Sequence, residues 1–513
     1  MTHNKPFSDY DPLRPSGARR SSAPSLEDDT RRDLRRPASE VVPRDLNERP
    51  SLSFSQAQTI FEEPGKQLEE GTAKSDAESL LKTSGENWIL KNGHSLSFAG
   101  IFLFTALVYF RPYEYFPSLF WLSSSAFWVA ITTLLIFLPT QLGLEGRITV
   151  RPREVNLVLL LLAAGALSVP LALNPGIAVN GFIDFLKVVL MFIVMVNVIR
   201  SEKRLKLLWI LVLIATCTLS IGAINDYRLS RLALMGVRIQ GVIGGLFDNP
   251  NDLALHLVTM IPITLALMFS SRNPLSKIMY LVCAILIMGG VVATFSRGGF
   301  LALLFSLGVF MWKLARRSRL LLGIVGAALI VLFVVVAPAG YGARLSTTQD
   351  DSAIARLDDL KRSLFLAVRH PVLGVGMDNY ILFSNANKAS HNAYTQVASE
   401  MGMTALACYT MFIVRPLRKL GQIGRETSDE RSNSHYYYLA VGLQASLLGY
   451  MVSSFFASVA YLWYVYYLVA YAVCLRRLYE AETGREVVIE KKPKRSHVNV
   501  ASVLDRKGGV ATI

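Results

Sequence analysis

Apolar residues run in blocks long enough to cross a bilayer, about 20 residues for a helix, and short polar clusters separate the blocks. Twelve such runs predict membrane helices at 96–111, 121–138, 155–173, 181–199, 206–224, 250–270, 276–294, 299–314, 319–338, 394–414, 436–456 and 458–475. The pattern is that of an all-α polytopic membrane protein with a membrane domain over 96–475. Residues 1–95 mix charges with Ser and Pro and lack a sustained apolar period, which predicts a disordered N-terminal tail. Residues 476–513 read as a basic C-terminal tail.

The interval 339–393 is the one long loop between the apolar runs. Within it, Ile354, Leu357, Leu360, Leu364 and Val368 recur at helical spacing. This predicts an amphipathic helix on the membrane surface that ends before Pro371.

A chain with 52% hydrophobic residues cannot cover its own surface as a soluble globule. The polar start offers no cleavable signal peptide, so the first span is expected to stay in place as a signal anchor. The four cysteines, Cys217, Cys283, Cys408 and Cys474, all fall inside apolar runs. That placement points to packing and away from a disulfide framework or a zinc site.

The net charge of +15 suggests nucleic acid until it is divided along the chain. Residues 1–95 hold 14 basic and 16 acidic side chains, which leaves 39 and 22 for the rest. If the N-terminal tail is cytoplasmic, the short inner loops carry eighteen Lys or Arg, from Arg147 to Arg431. The short outer loops carry five: Arg111, Arg228, Arg231, Arg238 and Arg297. This is the positive-inside signature, with both termini cytoplasmic and the long loop outside. It speaks for topology and against a nucleic-acid patch.

The exceptions carry the chemistry. Arg238, Arg297 and His391 gather on the face where topology disfavours cations, which suggests an anionic ligand there. Outer arginines also serve as ordinary headgroup anchors, and that reading suits Arg228 and Arg231. Arg297 sits in VVATFSRGGFLALL with almost no loop around it. An arginine that close to hydrocarbon is expected to face a polar cavity.

Three stretches stand out. In RIQGVIGGLFDNPNDLALHL, residues 238–257, Pro250 suits a first helical turn with Asp248 or Asn249 as its cap. In FSRGG, residues 295–299, Arg297 is at the tip of a sharp turn. In the long loop, GVGMDNY and then SHNAYTQVASEMGM put His391 at the mouth of the next span. A lone histidine is more often structural than catalytic, but this one follows a loop long enough to act as a lid.

In this order, the stretches resemble the bacterial O-antigen ligase and polymerase family, over roughly residues 96–475. The matching pieces are Arg-x-x-Gly…Asn-Pro-Asn at 238–251, Ser-Arg-Gly-Gly at 296–299, Pro-x-x-Gly-x-Gly at 371–376, and His391-Asn392-x-Tyr394. The resemblance implies an inner-membrane glycosyltransferase whose donor is a glycan on undecaprenyl diphosphate, used without metal, nucleotide or other cofactor. It implies that Arg238 and Arg297 hold the diphosphate and that His391 activates the acceptor hydroxyl. Asn249, Asn251, Ser296, Asn392 and Tyr394 fall to supporting roles. The acceptor is a glycan, lipid or protein, and the motifs fit a ligase and a polymerase alike.

Residue chemistry agrees. Departure of diphosphate from a sugar builds negative charge that guanidinium forks can hold bidentately. A histidine near its ordinary pKa is substantially neutral at pH 7 and can accept a hydroxyl proton. No Asp-x-Asp pair lies on the outer face to hold a nucleotide-sugar's metal, and Asp350-Asp351 reads as a helix cap. Asp184 and Lys187, three apart in one run, are expected to pair within the bundle. A transporter or flippase for the same lipid-linked glycans is the alternative, and it calls for inverted repeats and ionisable groups at the midplane. A scaffold acting through the tail would leave the outer arginines unexplained.

Overall fold

The structure, a computed structural model, describes residues 88–229, 247, 249–314, 351–384, 389–429 and 435–487. The described chain is helical: α1 Trp88–Phe110, α2 Pro112–Tyr115, a 3-10 segment Pro117–Ser124, α3 Ser125–Glu145, α4 Arg153–Ser168, α5 Pro175–Val198, α6 Glu202–Arg228, α7 Pro250–Ser270, α8 Pro274–Ala293, α9 Arg297–Leu314, α10 Asp351–Arg369, α11 Ala393–Glu426, α12 His435–Ser453 and α13 Trp463–Thr483. Ten helical stretches among the described residues are long and apolar enough to cross a membrane. From Asn92 onward the described residues form one unit.

Two of the twelve expected spans are not among the ten. The run 319–338 lies outside the described residues. The run 458–475 is cut: Leu462 is extended, and α13 starts at Trp463 and continues through Arg476 and Arg477 to Thr483. Its apolar stretch is short and rich in tyrosine, and nearly all of it is buried by other helices. Cap chemistry moves other boundaries. Gly146 ends α3 in the left-handed conformation, beyond the expected end at 138. α11 continues past Pro416 to Glu426, where position 414 was expected.

Helices without water between them gain by close backbone approach at small residues. α3 rides on α1 this way: a Cβ on Gly93 or Gly100 would overlap Thr140 or Thr133. The centre is made by α7, α12 and α13, and several buried tyrosine hydroxyls around it find partners inside. Tyr409 and Tyr450 meet at 2.7 Å, and Thr105 and Tyr467 at 2.9 Å.

The bundle has two distinct ends. At one, Arg476 on α13 holds Glu154 on α4 through two hydrogen bonds of 2.7 and 3.2 Å, both side chains buried. Arg200 pairs with Glu145, and Arg204 donates to Ser95. Among the described residues, the basic loops between α3 and α4 and between α5 and α6 belong to this end. The other end carries the motifs.

Asp184 and Lys187 do pair, at 2.7 Å, but on the perimeter of the bundle and not inside it: their side chains are 76% and 47% exposed. The i, i+3 spacing lets the two charges satisfy each other locally, so no neighbouring helix is needed.

Candidate functional site

The first element is the start of α7. Asn249 caps it, its side-chain oxygen accepting from the amide of Asn251 at 2.9 Å, and Pro250 occupies the first turn. This leaves the Asn251 side chain buried and turned to its neighbours.

The second element is the turn between α8 and α9. Phe295 takes a φ of 52°, which a non-glycine residue adopts only under constraint. Ser296 then caps α9, accepting from the amide of Gly299 at 3.1 Å, and donates to Asn251 Oδ1 at 2.8 Å. Asn-Pro-Asn and Ser-Arg-Gly-Gly are thus two halves of one hydrogen-bonded unit. The two glycines permit the fit: a Cβ on Gly299 would overlap Ala254 of α7, and one on Gly298 would overlap the ring of Phe456. Arg297 is the first residue of α9 and half-buried, so its charge adds to the positive end of a helix dipole.

The third element is the start of α11. His391 has a φ of 54°, a strained backbone of the kind found at functional sites. Asn392 caps α11, its oxygen accepting from the amides of Tyr394 and Thr395 at 2.9 and 3.1 Å. Its amide nitrogen is buried and has no hydrogen-bond partner among the described residues. Tyr394 donates to the carbonyl of Met451 at 3.0 Å and accepts from Ser454. Residues 451–456 therefore touch the His391 segment through Tyr394 and the Arg297 segment through Phe456 and Gly298. Three helix N-termini, of α7, α9 and α11, share this end of the bundle.

A clasp holds the long loop to α11. The helix is broken at Gly402, where φ is 89°. The break frees the carbonyls of Ser399 and Glu400, which accept from Val375 and Gly376 at 2.8 and 3.0 Å. Met403 donates to the carbonyl of Pro371 at 2.7 Å. Pro-x-x-Gly-x-Gly is the other side of this kink, and Gly374, at a φ of 66°, lies directly on the Glu400 backbone. Asp378 follows, lying against Gly181 of α5. Burial, and then the Asp184 carboxylate, raise its pKa above the ordinary aspartate value.

α10 forms over 351–369 and stops before Pro371, as its spacing predicts. Its inner face is mixed, with Leu366 packed against Val375 and Tyr380 beside smaller and polar groups. Ser363 and Ala367 are buried, Arg362 donates to the carbonyl of Phe383 at 3.0 Å, and Tyr380 donates to that of Asp359 at 2.9 Å. Ile354, Leu357, Leu364 and Val368 are exposed on the surface of the bundle. Sequence reasoning missed Arg356, which is half-buried on this helix. Its burial, and then the charge of Arg297, lower its pKa, so the two guanidinium groups share one electrostatic environment.

Of the expected site residues, Asn249, Asn251, Ser296 and Arg297 form one assembly, and His391, Asn392 and Tyr394 another, joined by 451–456. Arg238, Asp248 and Asp350 lie outside the described residues. Among those described, no group of three or more His, Cys, Asp or Glu is arranged to hold a metal ion. In chemical terms, this end of the bundle offers an arginine at a helix N-terminus in one assembly and a strained histidine in the other.

Residues 281–410, from α8 to the first half of α11, match the family model described as O-Antigen ligase. The match covers both Arg297 and His391 and agrees with the resemblance carried by the motifs. It supports a ligase- or polymerase-like role in membrane glycan transfer. No curated protein sequence matches the chain.

Proposed function

We propose, with the O-antigen ligase match over residues 281–410 as the premise, that the chain moves a preassembled glycan from polyprenyl diphosphate to an acceptor. The basic loops face the cytoplasm by the positive-inside rule, so transfer takes place on the periplasmic side of the inner membrane. The observation that carries this reading is the Ser296–Asn251 hydrogen bond, which locks Arg297 at the junction of two helix N-termini. A diphosphate is an anion that such a junction suits.

In the proposed mechanism Arg297 and Arg356, with Arg238 from the preceding loop, hold the diphosphate and stabilise the charge that builds as it leaves. His391 accepts the proton of the attacking acceptor hydroxyl. α10, followed in the chain by the clasped segment 371–376, carries Arg356 within the field of Arg297. Asn392 and Tyr394 orient the histidine segment. Charge is neutralised by guanidinium groups, so turnover is expected to survive EDTA.

The test is transfer by purified protein given a polyprenyl-diphosphate-linked glycan and candidate acceptors, with product length as the readout. One added block identifies a ligase and a ladder of repeats a polymerase. Absence of transfer by an intact, inserted protein to lipid, glycan and protein acceptors alike would overturn the proposal.

A further inference from the structure

The opposite end of the bundle holds a second arrangement of arginines that glycan transfer leaves unused. The loop between α3 and α4 carries Arg147 and Arg151, and α4 opens on Arg153, all three exposed. The two carboxylates that bracket it are committed elsewhere: Glu145 pairs with Arg200, and Glu154 is held by both guanidinium nitrogens of Arg476. Among the described residues, neither Arg147 nor Arg151 has an ion-pair partner. The local field is therefore positive and not cancelled from within the described bundle.

The loop is also rigidly built. Asn197 of α5 is fully buried, accepts from the amide of Val150 at 2.8 Å, and donates to Thr149 Oγ1 at 2.8 Å and to the carbonyl of Ile193 at 2.7 Å. Arg200 donates to the Asn197 carbonyl at 2.9 Å, which ties the ion pair to the same post. Held in this way, Arg147, Ile148, Thr149 and Arg151 line a cavity of about 420 Å³. Ile148 is 61% exposed between the arginines. An apolar side chain flanked by cations at the end of membrane helices is the pattern of a surface that meets headgroups and acyl chains together.

We infer that residues 147–151 form a preorganised site for the headgroup phosphate of an anionic phospholipid, in the leaflet at the basic end of the bundle. Arg147 and Arg151 would hold the phosphate from two sides and Ile148 meets the acyl region, while the Thr149 hydroxyl is committed to the loop itself, donating to the Val150 carbonyl at 2.9 Å and accepting from Asn197. Attraction of this kind is worth about fivefold in affinity per arginine, so losing both is expected to weaken binding about thirtyfold.

The experiment uses the full chain purified in detergent, with phosphatidylglycerol titrated in and bound lipid counted by native mass spectrometry. Wild type is expected to take up phosphatidylglycerol saturably, and R147A/R151A to bind it about thirtyfold more weakly. Arg418→Ala, an exposed basic residue elsewhere on the same end, serves as the control and should bind as wild type does. Competition on wild-type protein alone keeps the inference testable if the double variant fails to insert. Phosphatidylcholine and inorganic phosphate should both compete poorly. Equal binding by R147A/R151A, or equal competition by phosphatidylcholine, would overturn the site. Competition by inorganic phosphate at matching concentration would show a free-phosphate site and overturn the lipid assignment.

Discussion

Ser296 donates a hydrogen bond to Asn251 at 2.8 Å across 45 positions of sequence, and both side chains are buried. The same hydroxyl caps α9, so one oxygen fixes the start of the helix that carries Arg297 and ties it to α7.

Ser296→Ala should therefore cost more than a cap. Loss of a cap is worth about 1 kcal/mol, and an orphaned buried amide oxygen adds about 1–3 kcal/mol. Thermal unfolding in detergent should drop, and donor affinity should fall with it because Arg297 loses its anchor. Unchanged donor affinity in a destabilised protein would show that the bond is structural only.

The clasp between the long loop and α11 should tolerate no side chain. Gly374→Ala places a Cβ on the Glu400 backbone at a φ of 66°, and Gly402→Ala does the same to the Val372 carbonyl at a φ of 89°. The backbone conformation alone costs about 1–2 kcal/mol for an alanine, before the overlap. Both variants should show protease sensitivity in the segment 371–392 and reduced turnover. Wild-type protection in either would mean that the clasp is not needed.

These features were unequally legible in the sequence. Asn249 and Pro250 announce themselves because capping is local chemistry, read within four residues, whereas the Ser296 cap was legible only as part of a sharp turn. The period of α10 was equally plain. The kink at Gly402 was not, since the apolar pattern runs straight through it and the partner that makes it lies thirty residues earlier in the chain. Arg356 was hidden for a related reason: on an amphipathic helix a cation reads as part of the solvated face. Only the fold of α10 leaves it half-buried and subject to the charge of Arg297. Asp184 and Lys187 misled in the opposite direction, because charges within an apolar run suggest an interior and here they sit on the perimeter.

Asp378 gives a pH dependence of definite sign. Its pKa is raised in the fold by burial and by Asp184. Such a group contributes stability that is complete below the ordinary aspartate value, about 3.9, and is lost as pH rises through the raised folded value. Asp378→Asn should remove that dependence and leave the protein relatively more stable at neutral pH. Melting temperatures of both proteins across this range check it, and parallel curves would contradict the assignment.

The central claim is that Arg297 binds the donor diphosphate while His391 takes the acceptor proton, and one paired measurement separates the two roles. Donor affinity and transfer rate would be measured for wild type, Arg297→Lys and His391→Ala at equal expression and insertion. Lysine keeps the charge and loses the planar fork, so Arg297→Lys should weaken donor binding and turnover together, by about ten- to a hundredfold. His391→Ala should lower turnover by about 10²–10⁴ and leave donor affinity near wild type. Near-normal transfer by His391→Ala would contradict the account and return His391 to a purely structural place at the head of α11.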